Sequence, residues 1–158
     1  MQMYPPQANQ VFPGQKHGAE NNMEWSTGLC GCFEDPGNCC ITCCCPCITV
    51  GQIAEVLDRG STSCTVSALI YTALACVGVP CIYSCGFRTK LRNLYSLKEG
   101  ACGDCCLHCW CDMCAICQEY RELKNRGVDP SIGWQGNLQK QNQGRSAMPP
   151  AVAAGMYR

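Results

Sequence analysis

The chain has 158 residues, enough for one domain, and its formal net charge at pH 7 is zero, so we expect no nucleic-acid partner. Cysteine dominates the composition with 19 residues, a density that indicates a disulfide scaffold in short secreted proteins. The odd count and adjacent cysteines such as Cys43, Cys44 and Cys45 argue against that class, because adjacent cysteines rarely bridge each other.

The first 24 residues are rich in Gln, Pro, Asn and Gly without periodicity, which predicts a disordered tail over 1–24. They begin with a polar, proline-rich stretch instead of a basic start and an apolar run, so we expect no secretory signal peptide. We therefore expect reduced thiols that face the cytosol or lie in a membrane. A cysteine-rich membrane domain is predicted over 25–134, and a second disordered tail over 135–158.

The first apolar segment is predicted at about 39–57, within a region that carries no charged residue from 36 to 54. Pro46 interrupts any helix there, so two alternatives stay open: the segment spans the bilayer, or it is a broken or re-entrant segment. If residues 40–58 were one helix, several thiols and carboxylates would share an arc of about 80°. The members of this stripe are Cys40, Cys44, Cys47, Gly51, Glu55 and Asp58.

The second apolar segment, 64–87, lies in a stretch without any charged residue from 60 to 87. As a helix of 24 residues it would extend about 36 Å, enough to cross a hydrocarbon core of about 30 Å, so we expect a transmembrane helix with a kink at Pro80. A buried helix of a soluble core is the alternative. Arg88, Lys90 and Arg92 follow directly, which predicts that the C-terminal side is cytosolic.

The third region is a cysteine block over 102–117 with overlapping Cys-x-x-Cys spacings, which allow two thiolates to reach one tetrahedral metal ion. A helix would also place several of these thiols within one arc of about 120°. Asp104 and Asp112 predict that the block lies at the cytosolic surface. Palmitoylation of these cysteines is an alternative, and His108 is either a metal ligand or a hydrogen-bonded polar residue.

Two features near the ends of the domain carry no assigned chemistry. Alternating charges over 119–126, with Glu122 and Arg126 one helical turn apart, predict a solvated helix. Trp25 and Trp134 are interpreted either as anchors at a membrane interface or as packing residues.

The segment Cys39–Cys47 contains a Cys-Cys pair, four residues and then Cys-Pro-Cys. This pattern resembles the plant cadmium resistance and cell number regulator proteins, which share a cysteine-rich domain with the placenta-specific gene eight family. Three further stretches resemble that domain: 24–28, 51–60 and 118–124. The resemblance covers about 25–134. It implies a plasma-membrane protein that self-associates and alters cellular zinc or cadmium content.

The sequence thus predicts a mainly α-helical small membrane protein with one or two hydrophobic helical segments. Thiolates bind soft cations and carboxylates at a membrane boundary would concentrate them, although thiols also serve as small packing groups. The predicted metal ligands are Cys39, Cys40, Cys44, Cys45, Cys47, Glu55, Asp58, Cys102, Cys105, Cys106 and Cys109.

The expected function is zinc or cadmium transport or resistance, by efflux or reduced uptake, with the lipid bilayer, soft divalent ions and further copies of the chain as partners. No tightly bound cofactor is expected. No enzyme motif occurs, so we expect no enzyme. The alternatives are a palmitoylated membrane scaffold that regulates cell number and organ growth, and a passive metal chelator.

Overall fold

The computed structural model describes Phe12 and residues 23–98 and 101–146. The described part is mainly helical, as the sequence predicts, and its only strand-like pairing is one isolated bridge between Met23 and Leu97. Short 3-10 helices occupy Gly31–Glu34 and Pro130–Ile132. The α-helices are α1 (Pro36–Cys44), α2 (Pro46–Leu57), α3 (Cys64–Cys76), α4 (Pro80–Tyr95), α5 (Ala101–Asn125) and α6 (Gly133–Ser146).

The first apolar segment is a helical corner instead of one continuous helix. Cys45 leaves the helical region at φ −141° and ψ 71°, and Pro46 begins α2, where its missing N–H is not needed. The axes of α1 and α2 differ by 112°. The Thr42 and Thr49 hydroxyls, both fully buried, lie 3.0 Å apart across this corner. The assumption of a single helix over 40–58 is therefore wrong, and the broken alternative matches the backbone.

The second apolar segment is also divided, so the prediction of one helix over 64–87 is wrong. The Ser63 side chain accepts a hydrogen bond from Val66 N and begins α3. Gly78 then adopts a left-handed φ of 80°, which favours glycine, and Pro80 begins α4. Proline was expected to kink the helix, and the structure shows that the chain leaves the helix before it.

Within 23–98 and 101–146, no single helix is both long and apolar enough to cross a bilayer. The α1–α2 pair passes by length and composition only when its two bent halves are taken together.

Helix α2 lies at the centre of the fold and contacts each of the other five α-helices. Val50, Ile53, Ala54 and Val56 are almost completely buried in the hydrophobic core. Gly51 lets α3 approach closely, because a Cβ atom at this position would lie 2.5 Å from the carbonyl oxygen of Cys64. The sequence around Gly51 thus positions the start of α3 against the core helix.

The helical structure of the described residues continues beyond the predicted boundary at 134. Helix α6 occupies 133–146, where a disordered tail from 135 was predicted, and Leu138 packs into the core. Trp134 is buried, with its ring centroid 5.5 Å from that of Phe12. The Arg88 guanidinium lies 3.9 Å from the centre of the Trp25 ring. Both tryptophans therefore have packing roles in the fold. Of the predicted tails, 1–11, 13–22 and 147–158 lie outside the described residues.

The C-terminal half of α5 is not the solvated helix that its charge pattern predicted. Glu119, Arg121 and Glu122 are buried. The predicted pair of Glu122 and Arg126 is present at 2.6 Å, and the Ser26 backbone N–H also donates to Glu122 at 2.7 Å. Ser26 lies 96 residues from Glu122 in the sequence, so the local alternation of charges does not reveal that Glu122 is buried.

The N-terminal stretch 24–28 docks on α5 through further polar contacts. Gln118 donates to the carbonyl oxygen of Thr27 at 2.8 Å, and Arg121 donates to that of Gly28 at 2.9 Å. Two of the stretches that carry the family resemblance, 24–28 and 118–124, therefore form one structural contact.

Candidate metal centre

An open pocket of about 250 Å³ collects cysteine side chains from three parts of the chain. It lies between α1, α5 and the first 3-10 helix, and Cys30, the residue before that 3-10 helix, also lines it. We call it the thiol pocket. Its lining is Cys30, Cys32, Phe33, Cys39, Cys43, Met113, Cys114 and Cys117.

Helical spacing explains how the sequence brings these thiols together. Cys39 and Cys43 are one turn apart on α1, and Cys114 and Cys117 are three residues apart on α5, so each pair faces one direction. The Asp35 side chain caps α1 by accepting from Asn38 N at 3.1 Å. Asp35 also pairs with Lys124 of α5 at 2.8 Å, which holds α1 beside α5.

The environment of the pocket keeps its α5 thiols protonated at neutral pH. Burial raises the pKa of Cys114 to about 11, and the neighbouring Cys32 thiol adds to the shift. Burial likewise raises the pKa of Cys117 to about 11. Only the thiolate is a strong metal ligand, so a bound ion must displace these protons. Sulfur-rich surroundings favour soft ions such as Zn²⁺, Cd²⁺ and Cu⁺ over Mg²⁺ or Ca²⁺.

The pocket gathers thiols without converging them on a single point. In the part of the chain that the structure describes, no three His, Cys, Asp or Glu side chains lie in an arrangement that holds a metal ion as placed. Cysteine side chains change rotamer by rotation about one bond, χ1. Coordination in this pocket therefore requires the cysteine side chains to rotate towards the ion.

The structure separates the predicted ligands of the first block. Cys39 lines the pocket, while Cys40, Cys44 and Cys45 are exposed. Cys47 is half-buried and packs against the hydrophobic core.

The predicted carboxylates of the stripe have structural partners. Glu55 accepts hydrogen bonds from the backbone N–H of Cys64 at 3.1 Å and of Trp134 at 3.2 Å. Asp58 pairs with Lys90 of α4 at 2.5 Å. The stripe of thiols below carboxylates is not formed, because the chain turns at Cys45.

The predicted ligands of the third block divide between two surroundings. Cys102 and Cys106 are exposed. Cys105 and Cys109 are also exposed, but their sulfur atoms contact thiols of α4. Helix α5 carries the whole block, with a kink at Cys111, where φ is −140° and ψ is 53°. The helical alternative is therefore the one that the backbone adopts.

Five cysteines of the thiol pocket were not among the predicted ligands. Their local spacing was visible in the sequence as Cys-x-Cys, as Cys-x-x-Cys and as the i, i+4 partner of Cys39. The contact of α5 with the 3-10 helix and α1 was not visible, because the pocket cysteines of α5 lie more than 70 positions along the chain from those of the other two elements. These residues are Cys30, Cys32, Cys43, Cys114 and Cys117.

A buried polar chain beside the α4–α5 contact was not predicted either. His108 Nδ1 lies 2.7 Å from Asp112 Oδ1, and Nε2 lies 2.8 Å from Glu119 Oε1. Asp112 also accepts from Tyr71 at 2.6 Å and Ser84 at 2.8 Å. Both ring nitrogens of the histidine are thus engaged, which is the hydrogen-bonded alternative of its two interpretations.

The charge state of His108 follows from these contacts. Burial lowers the pKa of His108, but the hydrogen bonds to Asp112 and Glu119 outweigh that effect and raise the pKa to about 9. The imidazolium lies between Asp112 and Glu119 at neutral pH. Its hydrogen bond helps hold the pKa of Asp112 below its usual range against the effect of burial, whereas burial raises the pKa of Glu119.

The basic residues that follow the second apolar segment also have carboxylate partners. Arg88 and Arg92 both pair with buried Asp104, at 3.4 Å and 3.1 Å, and Lys90 pairs with Asp58. Their role in the fold is to join α4 to α5 and to the end of α2. The use of the same residues as a signal of membrane orientation stays a prediction.

One known protein family has a sequence model that matches most of this chain. The sequence model of the PLAC8 family matches residues 25–122. The chain belongs to the PLAC8 family. The matched span includes every residue of the thiol pocket. No solved structure matches this PLAC8 chain.

Curated relatives cover most of this PLAC8 chain. It is 54% identical to Protein PLANT CADMIUM RESISTANCE 2 of Arabidopsis thaliana over 138 residues, which cover 85% of this chain and 91% of the relative. It is 50% identical to Cell number regulator 1 of Zea mays over 142 residues, covering 85% of this chain and 74% of the relative. Cell number regulator 10 of Zea mays is 44% identical, covering 99% and 100% of the two chains. The predicted resemblance is confirmed.

Proposed function

We propose that this PLAC8 chain is a membrane-associated protein that lowers the cellular content of cadmium or zinc by binding the ion in the thiol pocket. The observation that carries the proposal is the collection of six cysteines from three chain segments in one pocket. The relatives named for cadmium resistance, at 54% identity, support the same direction.

The exposed apolar surface supports the membrane part of the proposal. Three large apolar side chains around the α3–α4 corner are strongly exposed, Leu69 at 64%, Val77 at 69% and Ile82 at 67%. An exposed apolar patch of this kind is favourable against lipid and unfavourable in water. The proposed location is the plasma membrane, with several copies of the chain associated there.

The proposed binding chemistry is proton exchange for a soft ion. Thiols that are neutral at pH 7 release protons when the ion binds, so affinity in the pocket rises with pH. The ion itself is cargo, and the pocket is open on one side, which gives it a route for entry and release.

Metal accumulation in cells tests the proposal. Expression of the wild-type chain in metal-sensitive cells should lower their cadmium content, measured by mass spectrometry of washed cells. Replacing Cys39→Ser together with Cys114→Ser should abolish this effect at equal protein abundance. The matched control, Cys76→Ser with Cys102→Ser, removes two exposed thiols outside the pocket and should protect like the wild type. Protection by the pocket variant would contradict the proposal.

A second candidate function is that of a palmitoylated scaffold that regulates cell number. The cell number regulator relatives favour it, as do exposed cysteines beside Trp110, which is itself 87% exposed. Cys106 and Cys111 are among those thiols. Hydroxylamine-sensitive acyl labelling of α5 together with unchanged cellular cadmium would favour the scaffold over metal handling.

A transporter moves the ion across the membrane, whereas a passive chelator only binds it. Purified protein in vesicles should move radiolabelled zinc across the bilayer if the chain is a transporter. Stoichiometric binding without flux would indicate a chelator.

A further inference from the structure

A second group of thiols lies between α4 and α5 and shares no residue with the thiol pocket. The sulfur atoms of Cys85 and Cys105 lie 2.9 Å apart, and those of Cys81 and Cys109 lie 3.2 Å apart. Each pair joins one helix to the other. We call these four residues the α4–α5 thiol quartet.

Helical periodicity places the quartet at one contact. Cys81 and Cys85 are four residues apart on α4, and Cys105 and Cys109 are four residues apart on α5, so each pair lies on one helix face. Cys81, the earlier residue on α4, contacts Cys109, the later residue on α5, and Cys85 contacts Cys105. The two helices therefore run antiparallel.

The same contact is fixed by polar groups on either side of the quartet. Ser84 donates to Asp112 at 2.8 Å, and Thr89 donates to Asp104 at 3.0 Å. Arg92 adds an ion pair to Asp104 at 3.1 Å. These contacts set the register of α4 against α5, so the four thiols are held close together by the fold.

The four sulfur atoms do not converge on one point as placed, but the two sulfur–sulfur contacts across the helices are close to the spacing of a tetrahedral sulfur site. With metal–sulfur bonds of about 2.3 Å, the sulfur atoms of a tetrahedral zinc site lie about 3.8 Å apart. The pairs across the helices need to open by less than about 1 Å. Cβ atoms one turn apart on a helix lie about 5–6 Å from each other, so binding of one ion requires rotation about χ1 that brings the two sulfur atoms of each helix together.

Simple packing does not account for the quartet. A free cysteine that serves as a small apolar side chain is usually buried. Cys85 is buried, whereas Cys105 and Cys109 are exposed and therefore reachable from solvent. Each exposed thiol of α5 contacts a less exposed thiol of α4, which is an arrangement that an ion from solvent can reach.

We propose that the α4–α5 thiol quartet binds one soft divalent cation, such as Zn²⁺ or Cd²⁺, through four sulfur atoms, and that the ion joins α4 to α5. The thiols release their protons to solvent when the ion binds, and no sulfur is oxidised. Because its residues differ from those of the thiol pocket, this site is independent of the proposed cellular function.

Alkylation of the wild-type chain tests the quartet without any substitution. The purified, reduced protein is treated with iodoacetamide with and without cadmium chloride, and the labelled cysteines are identified by mass spectrometry. Cadmium should slow the labelling of Cys105 and Cys109 at least tenfold. Cys102 and Cys106, exposed on the same helix, are internal controls whose labelling should change less than twofold. Equal protection of all four, or of none, would overturn the proposal.

Stoichiometry supplies the second measurement. The variant Cys81→Ser with Cys109→Ser should bind one cadmium ion fewer per chain than the wild type, followed by the thiolate-to-cadmium charge-transfer absorbance. The control Cys76→Ser with Cys102→Ser should bind as many as the wild type. An unchanged count in the quartet variant, or a Cys85–Cys105 disulfide in protein kept under reducing conditions, would rule out the site.

The thiol-pocket variant separates this proposal from the cellular one. Cys39→Ser with Cys114→Ser should leave the cadmium protection of Cys105 and Cys109 unchanged. Failure of the pocket to bind metal therefore leaves the quartet intact, and loss of protection in this variant would contradict an independent site.

Discussion

At the scale of single residues, His108 shows how burial and hydrogen bonding set a charge. Its ring lies between two carboxylates, and its pKa is raised to about 9. In the unfolded chain the pKa of histidine is about 6.5. A raised pKa in the folded state contributes stability that is complete below the unfolded value and is lost as the pH rises through the folded value.

We therefore expect the free energy of unfolding to fall by about 3 kcal/mol between pH 6.5 and pH 9.5 through this residue. The measurement is denaturant unfolding across that pH range. Cysteines titrate in the same interval, so the variant His108→Gln is the reference, and its pH slope should be smaller than that of the wild type. Parallel slopes would show that the histidine is not charged in the fold.

The close approach of α3 to α2 leaves no room for a side chain at Gly51. A Cβ at this position would lie 2.5 Å from the Cys64 carbonyl oxygen. We expect Gly51→Ala to lower the free energy of unfolding by about 1–3 kcal/mol. Gly86→Ala is the control, because its added Cβ would meet no other part of the fold within 4 Å and alanine favours a helix. If both variants were equally stable, the close contact of α2 with α3 would be wrong.

At the scale of helices, Glu55 joins three elements. It lies on α2 and accepts hydrogen bonds from the first residue of α3 and from Trp134 of α6. From the sequence, Glu55 was interpreted as a group that concentrates cations. The two N–H donors that bind it lie 9 and 79 residues away along the chain, so the sequence did not reveal them.

The two roles of Glu55 give different results in one experiment. Glu55→Ala should lower the free energy of unfolding by about 1–3 kcal/mol, because two partly buried N–H donors lose their acceptor. Cadmium binding per folded chain should stay unchanged. Thermal unfolding and equilibrium dialysis on the same preparation measure both. If Glu55→Ala reduced cadmium binding and left the stability unchanged, Glu55 would be a metal ligand after all.

Element boundaries were predictable where the chain carries a strong local signal. Pro46 and Pro80 mark the two breaks, and proline was recognised as the residue that interrupts each apolar segment. What the sequence did not show was the extent of the break. The positive φ of Gly78 and the departure of Cys45 from helical angles turn each expected kink into a separation of two helices.

At the scale of the whole molecule, the helical class, the cysteine blocks and the family were predictable from the sequence. The grouping of thiols was not, because the pocket and the quartet each combine cysteines from different blocks. Cys39 meets Cys114, and Cys85 meets Cys105, only after α1 and α4 have packed against α5. Likewise, the burial of Glu122 depends on Ser26, which lies 96 residues away.

The most direct test of the central claim is equilibrium dialysis of the purified, reduced chain against radiolabelled cadmium. We compare the wild type with Cys39→Ser plus Cys114→Ser in the pocket, and with Cys44→Ser plus Cys45→Ser, an exposed pair that the sequence alone favoured. The pocket variant should lose at least one bound ion per chain, while the exposed-pair variant binds as the wild type does. Loss in the exposed-pair variant with full binding in the pocket variant would contradict the account.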